Sequence, residues 1–309
     1  MGYARYDAGD WSARSATASA TSDANLYKST TGKAEFLPSH FAVRESRDSA
    51  LNPNSTPVIV AVDVTGSMRH LARALAREGL GTLFSELLDR SPVPDPHMMA
   101  VVLGDVACDR YPIQATQFEA DASIQDQLLQ LYLEGGGGGN YTESYDAPWL
   151  LAAMKTSADC WEKRGKKGFL FTVGDERAPN GITVAQAKQF FDIDLERDLS
   201  AKEILAMVEQ HYEVFHLKVE GSGTYVGDKA QVDSTWDNLL GERAIPLTDH
   251  EKMPEVIVSI MQMIAGVDRD AVVSSWSGST AVVVSHAVGN LNTQVATTGG
   301  GSGSSVVRL

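Results

Sequence analysis

Cysteine is scarce: Cys108 and Cys160 are the only two in 309 residues, too few and too far apart for a zinc knuckle or a disulfide scaffold, so both are expected as free thiols. Long apolar runs are missing as well, with nothing near the roughly 18 residues that a membrane span needs. The opening MGYARYDAGDWSARSATASA carries arginines without the apolar segment of a secretory signal, and Tyr6 stands where a myristoylation motif requires Ser or Thr. A cytoplasmic protein with no membrane partner is the expectation. Basic residues are outnumbered, 26 Lys and Arg against 40 Asp and Glu, and the net charge of -14 repels a polyanion unless cations gather on one face. The densest basic run, Lys163, Arg164, Lys166 and Lys167, falls at the end of a predicted helix, where cations complement the dipole; no nucleic-acid partner is expected. There is no Walker A loop, and none of the seven histidines (His40, His70, His97, His211, His216, His250, His286) stands near a nucleophile elbow, so an enzyme is not expected.

What is present is apolar material for a full core, 43% of the chain, enough for one large domain with appendages. Residues 1–54 are rich in Ser, Ala, Asp and Arg with scattered aromatics and no sustained period, and read as an irregular arm whose aromatics pack on the main domain. Its Arg44-Glu45-Ser46-Arg47 cluster is expected to pair with acids of that domain. Residues 55–267 alternate strand-like and helix-like segments. Strands are predicted over 58–62, 98–103, 169–173, 214–219 and 244–247, with an edge strand around 110–118; helices over 68–89, 124–133, 145–164, 200–211, 233–240 and 250–265. Ser200 with Glu203 forms a capping box, and Asp249 can cap the last helix. Such alternation implies a three-layer α/β fold of Rossmann-like type, a mostly parallel sheet with helices on both faces. Residues 268–309 turn Ser-, Val- and Gly-rich and read as a tail that ends in a flexible tether.

Ligands of an open parallel sheet bind at the carboxyl ends of its strands, and polar residues collect there in this chain. The first strand runs VIVAVDVTGSM; Asp63, Thr65 and Ser67 alternate, so an extended turn projects one carboxylate and two hydroxyls to one side. Oxygen-only ligation suits a hard cation such as magnesium. A helix cap is the plainer use of Thr65 and Ser67. Next, Gly135 to Gly139 precede Asn140, Tyr141, Thr142, Glu143 and Ser144 at the entry to a helix; five glycines allow close backbone approach at a conformational cost that a mere linker between two patterned helices would not require. Finally, the strand Phe169 to Val173 runs through Gly174 into Asp175 and Glu176, where Asp175 is either a loop cap or part of the same rim. Asp105 and Asp109, past another strand, are candidates for an adjacent metal site or for the binding face.

DVTGS after an apolar strand, a Gly-rich turn, and an acid after a later strand together resemble a von Willebrand factor A domain with its metal-ion-dependent adhesion site. The resemblance covers roughly residues 55–267. It implies Asp63, Thr65 (where Ser is commoner), Ser67 and Asp175 as ligands of magnesium, or of calcium or manganese. For the middle ligand many members use a Thr after two glycines, whereas integrin beta-type sites use a Glu in a pattern similar to Asn140–Ser144; Glu143 is the choice and Thr142 the reserve. The implied function is a binding module whose metal takes an Asp or Glu of a protein partner, in bacterial members an assembly with a MoxR-type AAA+ ATPase. Two alternatives remain: a structural protein whose arm and tail build a homo-oligomer, and a haloacid dehalogenase-like phosphatase with Asp63 as nucleophile. The phosphatase fits poorly, because it wants a second acid where Thr65 stands.

Overall fold

The computed structural model describes residues 7–66, 68–135 and 142–292. Its centre is a six-stranded sheet built from β1 (Thr56–Asp63), β2 (Pro96–Leu103), β3 (Ile113–Ala115), β4 (Gly168–Gly174), β5 (Tyr212–Val219) and β6 (Ala244–Leu247), in the spatial order β6-β5-β4-β1-β2-β3. All neighbours run parallel except β3, which pairs antiparallel with β2. β1 and β4 are buried along their whole length, as their unbroken apolar runs require of strands covered on both faces.

Alternation within β1 divides the interior in two. Val58, Val60 and Val62 join one core, while Ile59 and Ala61 join the other. Among the helices are α1 (Ala8–Ala20), α2 (Leu80–Arg90), α3 (Asp146–Lys155), α4 (Val184–Phe191), α5 (Ala201–Val208), α6 (Gly223–Leu240), α7 (Met253–Ile264), α8 (Arg269–Ser274) and α9 (Gly278–Ala287). Residues of α1, α2, α7, α8 and α9 fill the first core; those of α3, α4, α5 and α6 fill the second. The sheet between two helical layers is the three-layer α/β arrangement expected from the sequence. Among the described residues no helix is long and apolar enough to cross a membrane. Cys108 and Cys160 are free thiols.

Several boundaries differ from expectation, each for a tertiary reason. The helix expected over 145–164 stops at Lys155, and Thr156–Ala158 turns extended to pair with Arg44–Ser46 of the arm. The helix expected over 124–133 spans only Ser123–Leu128. The one expected over 233–240 begins ten residues earlier, at Gly223, where the Ser222 side chain accepts from the Tyr225 amide; Asp228 breaks its regularity. Gly223 and Gly227 conceal that start in the sequence. The arm is less irregular than expected: Asp7 caps α1, whose Trp11 and Ala18 are buried. The Ser- and Val-rich stretch after 267 is not all tail. Asp268 caps α8, and α9 buries Val283, Val284 and Ala287; small and β-branched side chains suit this shallow packing while weakening the helical signal. The glycine-rich tether lies outside the described residues.

Candidate functional site

β1 is where the strand order turns: β2 and β3 lie to one side of it, and β4, β5 and β6 to the other. Connections leave the carboxyl ends of β1 and β4 in opposite directions, the topological position at which open α/β sheets bind their ligands. Asp63 ends β1, and Asp175 follows β4 directly. Both are fully buried. The two strands are paired through Val62 and Val173, so their acids share one rim.

Asp63 is held by three donors. Its Oδ1 accepts from the Thr65 amide at 2.8 Å and from Thr65 Oγ1 at 2.6 Å, while Oδ2 accepts from the Tyr145 hydroxyl at 3.0 Å. Burial drives its pKa well above the ordinary carboxylate range; the hydrogen bonds from Thr65 oppose this and the Asp175 charge adds to it. Ser67, the third residue of the motif, lies outside the described residues, as do Gly136 to Gly139 of the glycine run.

The middle loop is pinned on both sides. Thr142 forms a parallel bridge with Arg177, just past Asp175, and Ser144 joins the end of β2 through its amide to the Gly104 carbonyl (3.1 Å) and through its hydroxyl, which accepts from the Val106 amide (3.0 Å). Glu143 between them is 3% exposed, and its Oε2 has no hydrogen-bond partner. Burial, followed by the charges of Asp63, Glu176, Asp105 and Asp109, raises its pKa far above the usual range. Glu176 is half-buried and pushed up to about 7 by burial and by Asp175. Among the described residues no Lys or Arg forms an ion pair with Asp63, Glu143 or Glu176; Arg177 turns instead to Asp228 at 2.9 Å.

Asp105 is buried at the same rim, with its Oδ1 accepting from the Ala107 amide and its own amide donating to Asp109 Oδ2. Cys108 beside them has its thiol pushed up to about 12 by burial and by the two aspartates, which makes it a poor nucleophile. His216 is buried in the sheet against Trp236 with ring centroids 3.6 Å apart, and burial keeps it neutral.

Tyr145, at the start of α3, was not singled out from the sequence. Its phenol lies against Gly174, where a methyl group would overlap the hydroxyl. Burial and the surrounding acids hold its pKa well above the ordinary value, so it stays a donor. A glycine just before the strand-end acid was the one available signal.

Four of the five preferred ligands thus have described positions. Asp63, Thr65, Glu143 and Asp175 come from three loops that meet at one rim, and Thr142 faces Arg177 through its main chain. Among the described residues no group of three or more His, Cys, Asp or Glu side chains stands ready to hold a metal; the expected donor set relies instead on hydroxyls as well as carboxylates. The chemistry of the set suits a hard cation: among the described residues Asp63 and Glu143 are buried side by side with no Lys or Arg ion pair, and Glu143 Oε2 is left with no donor.

No family model and no curated protein matches the chain. Two solved structures that do match are of the pilus adhesin SpaC from Lactobacillus rhamnosus GG. Its open conformation aligns at 10% identity with a TM-score of 0.46, over 70% of this chain and 31% of the adhesin; a second form aligns at 11% with a TM-score of 0.47, over 70% and 32%. The chain spans about a third of the adhesin's length.

Proposed function

We propose that this chain is a binding module of the von Willebrand factor A type in which Asp63, Thr65, Ser67, Glu143 and Asp175 hold one divalent cation, magnesium before calcium or manganese. Thr142 is the reserve for Glu143. The observation that carries this function is the crowding of buried acids around the unpartnered Glu143 Oε2, at the point where the sheet changes direction. Carboxylates confined in this way repel one another and lose hydration; a divalent ion offsets both.

A bound cation supplies Lewis acidity toward an Asp or Glu of the partner protein. Thr65 fixes the Asp63 carboxylate plane through two donors, and the bridge between Thr142 and Arg177 holds Glu143 next to the loop that bears Asp175. The uncharged hydroxyls of Thr65 and Ser67 leave the ion more of its positive charge. The module acts by binding and not by turnover. Thr65 stands where a phosphatase of the haloacid dehalogenase type needs an acid, and its hydroxyl is turned to Asp63, which favours binding. A MoxR-type AAA+ ATPase in the cytoplasm is the partner class that the resemblance suggests.

Calorimetric titration with magnesium, calcium and manganese, and partner capture with magnesium or EDTA, test this function. The wild type should take up one ion per chain, and Asp63→Ala/Ser67→Ala should weaken uptake by more than about 100-fold and abolish magnesium-dependent capture. A wild type that binds none of the three ions would sink the proposal.

A further inference from the structure

Resting on the cation site proposed above, we propose that Tyr145 is its positioning residue: one phenol hydroxyl ties the carboxylate at the end of β1 to the main chain at the end of β4. The hydroxyl donates to Asp63 Oδ2 at 3.0 Å and accepts from the Glu176 amide at 3.3 Å. Asp63 and the loop bearing Asp175 are therefore set relative to each other by a group from neither strand.

The phenol has little freedom to move. Its ring lies edge-on to His216 at 4.8 Å and to Trp236 at 5.5 Å, and Trp236 in turn stacks on His216. The Trp236 indole N–H donates to the Glu176 carbonyl at 2.9 Å. The peptide unit on each side of Glu176 is thereby fixed, its amide by Tyr145 and its carbonyl by Trp236. Gly174 leaves the space that the hydroxyl occupies. His216 is held in turn by the Thr172 hydroxyl, 2.9 Å from its Nδ1. The stack of Trp236, His216 and Tyr145 is a rigid support beneath the two ligand-bearing loops, the kind of backing that keeps a coordination site in shape before its ion arrives.

Neither Tyr145 nor Trp236 is placed among the ligands, so their removal should change affinity without removing a donor. Tyr145→Phe retains the ring and its packing and loses the crossbar; the dissociation constant for magnesium or manganese should rise about tenfold. Trp236→Phe loses the tether on the Glu176 carbonyl together with part of the ring stack on His216 and Tyr145, and should raise it about threefold. Calorimetry gives the affinities, and melting in EDTA reports whether each variant still folds. Weaker uptake by both variants, in this order and with cooperative melting in EDTA retained by each, is the expected result. Equal affinities in wild type and both variants would overturn the positioning role while leaving the cation site standing. Tighter uptake by Tyr145→Phe would overturn it too, since the hydroxyl would then compete with the ion. A wild type that takes up no ion removes the site and the positioning role together.

Discussion

The two ends of β1 and β4 carry acids in opposite circumstances. Before the strands begin, Asp48 meets Arg164 at 2.7 Å, and Asp159 meets Arg47 at 3.0 Å and Lys163 at 2.6 Å. Arg164 also donates to the Ser55 carbonyl, one residue ahead of β1, at 2.6 Å. Although burial alone would raise Asp159, its hydrogen bonds bring it down to about 2. After the strands end, Asp63, Glu143 and Glu176 are raised, and no basic side chain pairs with them among the described residues. The same side-chain chemistry serves as a clamp at one end, where its charges are matched, and as a concentration of negative charge at the other. A fold that keeps unmatched acids in its interior gives up stability there, which is the usual mark of a working site.

Breaking the clamp should have the largest effect. Arg164→Ala leaves Asp48 only the more distant Lys163, at 3.6 Å, and the Ser55 carbonyl no cationic partner, in a setting where the Arg164 and Asp48 side chains are largely covered, at a cost of about 2 kcal/mol in urea unfolding. An unchanged midpoint would mean that the clamp and the rim do not differ in energetic role.

A pH comparison sharpens the contrast. A carboxyl whose folded pKa lies above its unfolded value is penalised as pH rises from the ordinary carboxylate range through the folded value, because the native state then binds more protons than the unfolded one. Asp63, Glu143 and Glu176 are of this kind, Glu176 at about 7. Asp159 has the opposite sign: it stabilises above the ordinary aspartate range and loses that contribution as pH falls toward about 2. Protein in EDTA should therefore melt several degrees higher near pH 5 than near pH 8, a difference of about 1 to 2 kcal/mol, and magnesium should close most of the gap at pH 8. A higher melting temperature at pH 8 in EDTA would reverse the assignment of the two ends.

The smallest expected effect also has the most telling sign. Glu143→Gln removes an acid that burial and its neighbours make costly to ionise and should stabilise the metal-free protein by roughly 1 kcal/mol in urea unfolding while weakening ion uptake. Loss of stability on this change would place Glu143 with the clamp.

The layers of the fold were legible because VIVAV and FLFTV are short runs rich in β-branched and aromatic residues, the pattern of strands buried on both faces, and the helical periods between them dictate cover on each side. Asp63 and Asp175 were legible for the same reason, since an acid directly after such a strand falls at the carboxyl rim. Tyr145 was not, because its hydroxyl acts across 82 residues and through a space defined by Gly174. Arg47 was read correctly as a partner of domain acids, yet the extended turn at Thr156–Ala158 that its segment imposes was hidden by good local helical propensity. Helices α8 and α9 escaped notice because Ser, Val and Ala are ambiguous at short range.

Trp11 of α1 lies 5.1 Å, ring to ring, from Phe84 of α2, and Leu26 and Phe36 sink into the same interior. A shortened chain starting at Thr56 would expose the hollows that these side chains fill, presenting a greasy patch beside the helical layer. Used as bait, such a fragment would gather adventitious proteins on its wounded flank, and fishing for true companions calls for the first fifty residues to be kept.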